Sequence, residues 1–429
     1  MKYDKYKNSG TEWLGDIPLD WKTGVIGSFY TLRNEKVSDT DYPPLSVTMK
    51  GIVPQLETAA KTDAHDARKL VLKGDFAINS RSDRRGSCGV SQYDGSVSLI
   101  NTVLTPRNNM SPRYYDWLFH TVQFADEYYK NGHGIVDDLW TTRWNEMKRI
   151  IIPVPSVEIQ EIIAEYLDKK IAHIESLIEE AKASIEEYKA WKASIIYEAV
   201  TKGLDPNVEM KDSGVEWISH IPANWNVKRT KALFSYGKGL PITKENLVED
   251  GIPVISYGQI HSKKNTGTGV IEELIRFVPE SYINSNPESL VKKGDILVAD
   301  TSEDLAGCGN AVYVDSDMTL FAGYHTIILK SNDVSDNKYI AYLMKTDAWR
   351  SQIRANVSGV KLFSISKRIL NSTSVILPST EEQKEITNYL DTKCTAIDEI
   401  IAEKELLIFD LEKYKKSLIF DVVTGKRKV

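Results

Sequence analysis

A chain of 429 residues, 41% hydrophobic and 27% charged, is too long for one ordinary core and has the composition of a soluble globular protein of two or three domains. Its net charge of −6 weighs against the usual basic nucleic-acid binder. The longest aliphatic run, Ile150 to Ile152, stops at Pro153, far short of the roughly 20 residues a membrane-spanning helix needs, and Met1-Lys2-Tyr3-Asp4-Lys5 opens no signal peptide.

The acidity is unevenly placed. Residues 1–155 carry 20 Lys and Arg against 19 Asp and Glu, and residues 203–378 carry 19 against 20. Residues 156–202 carry 6 against 10, and residues 379–429 carry 9 against 11, so the negative charge gathers in two segments. Cys88, Cys308 and Cys394 lie far apart with no C-x-x-C pair. They suit a reducing cytoplasm and offer neither a zinc site nor a disulfide framework.

In chain order, the first block is Asn8-Ser-Gly-Thr-Glu-Trp-Leu-Gly-Asp-Ile-Pro-Leu-Asp-Trp21, which recurs as Asp212-Ser-Gly-Val-Glu-Trp-Ile-Ser-His-Ile-Pro-Ala-Asn-Trp225. Trp13, Trp21, Trp217 and Trp225 are therefore expected as core or interface anchors. Next, Lys69 to Ile78 and Ser289 to Val298 each place two short apolar runs around a Lys-Gly-Asp turn, which predicts a hairpin. Cys88-Gly89 recurs as Cys308-Gly309. Val97 to Leu104 and Thr319 to Leu329 read as further strands.

Ser111-Pro112 then opens a helix, with serine as its cap and an apolar face of Tyr115, Leu118, Phe119, Val122 and Tyr129. Ser335 opens the matching helix through Ile340, Leu343 and Trp349. Finally Pro155-Ser-x-Glu-x-Gln160 through Tyr166-Leu-Asp168 recurs as Pro378-Ser-x-Glu-x-Gln383 through Tyr389-Leu-Asp391, and the match runs on to Val200-Thr201 and Val423-Thr424. Ser379 with Glu382 forms a capping-box pattern. Beyond it, Leu167, Ile171, Ile174, Ile178, Ala181, Ile185 and Tyr188 trace a heptad seam. Leu390, Cys394, Ile397, Ile401, Ile408 and Leu411 repeat it, with Lys404 as the one polar intrusion. Each seam predicts a helix of about 40–45 residues, on the order of 60–65 Å long.

Ordered blocks at offsets drifting from 204 to 223 residues are a tandem duplication. The blocks agree while the stretches between them diverge, as expected of two units that recognise different targets. The layout read from the sequence is an α+β head at 1–155, a long helix at 156–202, a second α+β head at 203–378 and a second long helix at 379–429.

Catalytic signatures fail in turn. Gly10 to Gly15 has phosphate-loop spacing but is followed by Asp16, and no G-x-G-x-x-G completes itself. Asp41-Tyr-Pro-Pro-Leu45 lacks the flanks of an amino-methyltransferase motif and reads as a turn. His133 and His325 read as loop or satisfied core residues. What remains is recognition chemistry. Asn79 to Gly86 packs Arg81, Ser82, Arg84 and Arg85 into one loop, suited to phosphate contacts and guanine edges, or to plain solvation. Its counterpart, Ala299 to Ala306, has no basic residue; Thr301 and Ser302 are its polar candidates. The basic and amide side chains of the second copy lie earlier. Gln259 could read adenine, Lys263 and Lys264 could hold phosphates, and Tyr257 and His261 flank them, a plain turn being the alternative.

The doubled S-G-x-E-W-x-x-x-I-P-x-x-W opening, the K-G-D strand and the P-S-x-E-x-Q…Y-L-D helix resemble the specificity subunit of type I restriction–modification enzymes over essentially the whole chain. That resemblance implies two target-recognition domains separated by two long helices packed as an antiparallel coiled coil, in pseudo-twofold arrangement. It implies a non-catalytic cytoplasmic subunit that binds double-stranded DNA and has no cofactor or metal of its own. Two modification subunits would bind S-adenosylmethionine and methylate adenine, and two restriction subunits would add ATP-driven translocation and cleavage. Two other classes compete: a duplicated coiled-coil scaffold with peptide-binding domains, and an enzyme with an unfamiliar site.

Overall fold

The protein is described from a computed structural model covering residues 2–57, 66–107, 109–134, 140–331, 337–359 and 361–429. The chain forms two compact units, residues 1–183 with 404–429 and residues 184–403. Two long helices, Val157–Lys202 and Thr380–Val423, each contribute to both units.

The first unit is built on an antiparallel sheet in the order Cys88–Val90, Phe76–Asn79, Asn101–Pro106, Tyr30–Arg33. The second unit repeats that order with Ala311–Tyr313, Ile296–Ala299, Thr326–Ser331 and Phe234–Lys238. Each unit also pairs the strand after its first hairpin with the strand before a long helix: Lys22–Val25 with Ile151–Val154, and Asn226–Arg229 with Ser374–Leu377. The duplication seen in the sequence is thus a duplication of topology.

The Lys-Gly-Asp turns are corners and not hairpins. Arg68–Val71 pairs with Gly95–Val97 and Lys36–Val37, whereas Phe76–Asn79, four residues on, belongs to the four-stranded sheet. Leu290–Val291 and Ile296–Ala299 part in the same way. The physical reason lies in the motif. Gly74 and Gly294 turn at φ 92° and 96°, a region open to glycine without cost. The buried Asp75 carboxylate accepts from Leu72 N at 2.9 Å and from Arg33 Nε at 2.6 Å. Asp295 accepts from Lys292 N at 3.1 Å and Ser331 N at 3.3 Å. Each aspartate therefore ties the turn to another strand of the sheet.

Other expectations break at threonine. The single helix read after Ser111 is two, Pro112–Phe119 and Val122–Lys130, because the Thr121 hydroxyl accepts from Phe124 N and starts a new helix. Val122 is consequently 52% exposed and off the apolar face. Thr346 splits Asn337–Lys345 from Asp347–Arg354 likewise, while Ser335 lies outside the described residues. Val97 to Leu104 divides into Gly95–Val97 and Asn101–Pro106, and Thr319 to Leu329 into Leu320–Ala322 and Thr326–Ser331.

The frame tryptophans do pack inward. Trp21 and Trp225 are fully buried, and Trp13 donates to Ile151 O at 3.1 Å. The capping box at Ser379 is only half made. Ser379 Oγ accepts from Glu382 N at 3.2 Å, but the Glu382 carboxylate turns to the Trp225 indole N–H at 3.0 Å. A buried indole donor is the costlier group to leave unpaired, so it takes the carboxylate.

Each core is closed by helix ends. Leu418, Val422 and Val423 join Leu14, Trp21 and Tyr114 in the first unit; Ile196, Ala199 and Val200 join Trp225 and Tyr339 in the second. Gly425, at φ 75°, leaves no room for a side chain against the Pro18 ring and Trp21, while Gly10, at φ 84°, faces open space. Both substitutions to alanine strain the backbone, but only the first also overlaps packed rings. Gly425→Ala should therefore lower stability by at least about 1 kcal/mol more than Gly10→Ala, read from denaturant midpoints. Equal shifts would show that the last turn is not seated in the core.

Candidate functional site

In both units the central strand leaves the sheet at the same place. Ser80 O accepts from Thr142 N at 3.0 Å, and Asp300 O accepts from Ile365 N at 2.7 Å. Beyond these points Arg81 bridges Thr141, and Thr301–Ser302 pairs with Phe363–Ser364. Two strand ends on matching frames thus carry different chemistry, arginine in one and threonine with aspartate in the other.

In the first unit, Ser82–Arg84 is a short 3-10 turn. Arg81 N donates to Asn79 Oδ1 at 3.0 Å, which fixes the start of the loop, and the Arg81 side chain is exposed. Arg84 is 70% exposed, with Asp83 at 3.8 Å. Arg85 pairs with Asp126 and lies 5.8 Å over the Tyr129 ring, so it is partly engaged within its own unit. Arg81 and Arg84 are the more available cations.

In the second unit the short helix Tyr257–Ile260 lies beside Thr301. His261 Nε2 donates to Thr301 O at 2.8 Å, and Asn310 Nδ2 donates to His261 Nδ1 at 3.1 Å. Both ring nitrogens are used, so His261 braces the loop. Gln259 Oε1 accepts from Ser256 N at 3.0 Å and closes a capping box, which occupies its carbonyl. Ser302 is buried and donates to Asp304 O at 2.7 Å. Lys264 pairs with Glu273, and Lys263 is exposed. Tyr257, His261 and Thr301 meet, as do two side chains the sequence reading passed over: Tyr324 and His325 each pack their rings 5.4 Å from Tyr257. His325 also bonds Asp300, 25 residues earlier. Only the pairing of their two strands brings these together.

The helix seams form within each unit. Leu167, Ile171, Ile174, Ile178 and Ala181 are buried, with Ile408 and Leu411 half-buried in the same unit. Ile185, Leu390, Cys394 and Ile397 are buried in the other, where Tyr188 and Ile401 are half-buried. Burial pushes the Cys394 thiol up, keeping it an uncharged packing group. Lys404 sits half-buried on the stripe, while Leu406 and Leu407 beside it are exposed.

Two ion pairs cross between the helices. Lys192 holds Asp398 at 2.5 Å in one unit, and Lys415 holds Glu175 at 3.3 Å in the other. Asp398 is 223 residues beyond Glu175, and Lys415 is 223 beyond Lys192, so the pairs are copies of each other. Both carboxylates are about half exposed, which limits each pair to roughly 0.5–1 kcal/mol. Lys192→Glu and Asp398→Lys should each destabilise, and the double reversal should recover most of the loss in a thermal double-mutant cycle. Strict additivity would mean the pair contributes nothing.

The architecture is that of an α+β protein built twice, each unit joining an α+β head to parts of two long helices. Residues 222–407 match the family model described as "Type I restriction modification DNA specificity domain". The chain is 24% identical to the type I restriction enzyme MjaVIII specificity subunit of Methanocaldococcus jannaschii, covering 96% of this chain and 94% of that protein. Two solved structures share its fold at 14% identity. One is a chain from a type I restriction–modification system, with a TM-score of 0.71 over 95% of this chain and 98% of that one. The other is the HsdS subunit from Thermoanaerobacter tengcongensis, with a TM-score of 0.54 over 100% of both. Residues 222–407 thus match a DNA specificity domain, and over nearly its whole length the chain is similar to specificity subunits of type I restriction–modification systems, a family that is in general non-catalytic.

Proposed function

We propose that residues 1–155 read one half of a split DNA target, that residues 203–378 read the other, and that the helices at 156–202 and 379–429 set the gap. The observation that carries this reading is the contrast at the strand ends. One frame, built twice, presents Arg81 and Arg84 in one head and Thr301 with Asp300 and His325 in the other. Base edges in the major groove differ in donors and acceptors, so unlike side chains at equivalent positions select unlike sequences.

The helices of 46 and 44 residues would span about 66–69 Å. Packed antiparallel as one coiled coil, they would hold heads apart on a scale compatible with half-sites about one DNA turn, 34–36 Å, from each other. The copied ion pairs support helix-to-helix packing inside each unit.

The acidic helices need no affinity for phosphate. In this reading two modification subunits bring S-adenosylmethionine, methylate adenine and supply the positive surface around the duplex. Two restriction subunits add ATP-driven cleavage, and this chain directs both activities while binding neither cofactor.

Exchanging residues 1–155 for those of a relative should change one half of the methylated sequence and leave the other intact; a change in both halves, or in neither, would defeat the modular reading. Inserting four residues after Ala181, about one helical turn, should alter the tolerated gap with both half-sites retained, as mapped by methylated-base sequencing. An unchanged gap would count against the helices as a ruler.

A further inference from the structure

We propose that His325, held by Asp300 and Tyr257, is a specificity-determining residue that reads a base edge in the half-site addressed by the second head. This rests on the DNA-reading function proposed above.

His325 is one of two non-glycine residues with positive φ among the described residues, at φ 56°. Imidazole is better tolerated there than most side chains, yet the conformation still costs free energy that glycine would avoid. The carbonyls around it are all held: Asp300 N donates to His325 O at 3.1 Å, Tyr257 N to Tyr324 O at 3.2 Å, and Thr326 Oγ1 to Gly323 O at 2.6 Å. The turn is therefore held by its neighbours and needs no imidazole for its shape. A histidine kept at a position that suits glycine calls for a role beyond folding.

The side chain is set for contact. It is 54% exposed, and its Nδ1 lies 3.0 Å from Asp300 Oδ1, itself on a side chain 30% exposed. The carboxylate accepts from Nδ1–H, which turns Nε2 away from Asp300 and leaves it to meet a base edge. Tyr257 and His325 pack edge to face at 78°, and Tyr324 meets both rings. An oriented imidazole nitrogen on a partly desolvated aromatic ledge suits a base edge in the major groove, where an accepting Nε2 would match the exocyclic amino group of adenine or cytosine.

Comparison of the copies sharpens the assignment. By the pairing of Ala299 with Thr326 and of Asn79 with Asn101, His325 corresponds to Ile100 and Asp300 to Ser80. In the first head Ser80 Oγ is spent on Ile100 O at 2.5 Å, and no titratable side chain stands there. The ledge is particular to the second head, so its loss should be felt in one half-site alone.

The test uses the full chain assembled with the modification subunits of its own system and a duplex library randomised over both half-sites. His325→Gly removes the reading atom while relieving the backbone, so its thermal midpoint should equal or exceed that of the unsubstituted chain. Preference at one base pair of the second half-site should fall about five- to tenfold, the scale of one hydrogen bond, with the first half-site unchanged. Asp300→Ala should weaken the same base pair and no other. If the unsubstituted assembly selects both half-sites and His325→Gly selects them equally well, His325 is not a reader. If the unsubstituted assembly selects no sequence, the DNA-reading function itself fails.

Discussion

The structure depends on buried tyrosines that fasten the heads to helix ends far away in the chain. Tyr114 donates to Val423 O at 2.6 Å across 309 residues of sequence, and Tyr339 donates to Val200 O at 3.0 Å across 139. Burial holds both phenols well above their usual range, so they remain donors at any working pH. A buried C-terminal carbonyl without a donor would be expensive, and these phenols supply one to each helix. Each head therefore needs residues from both long helices to complete its core, and neither head is an independent bead on a string.

That dependence gives the repeated blocks a physical meaning. The frame tryptophans and the glutamines that bind back to Pro155 O and Pro378 O at 2.9 and 3.0 Å serve attachment of head to helix, while the Asp75 and Asp295 corners brace the sheet itself. None of them lies at the strand ends where Arg81 and Thr301 stand. Attachment and the proposed recognition thus fall to different residues of the same head. That separation would let the strand ends differ while the frame persists, which suits the proposed function.

The duplication, the long helices and their seams were legible because they are periodic and local: heptad spacing needs no tertiary information. The turn at Lys73-Gly-Asp75 was misread as a hairpin because the sequence marks a turn without stating which strands flank it in space. Thr121 and Thr346 were missed as helix breaks because apolar residues continue on both sides of them. The candidate readers were found only in part. Arginines crowded into Asn79 to Gly86 announce themselves by composition. The ledge of Tyr257, Tyr324, His325 and Asp300 draws on three separated segments and has no local signature. Gln259, His261 and Ser302 looked equally apt in sequence, and the fold uses them for capping and bracing.

In the proposed function two unlike heads, built on copied frames, read a split target at a set spacing. Sequencing adenine methylation in the host genome with and without this chain tests it most directly. The expected result is the loss of one motif made of two unrelated halves around a gap of constant length. A lost motif that is continuous, or a methylation pattern indifferent to the chain, would contradict it.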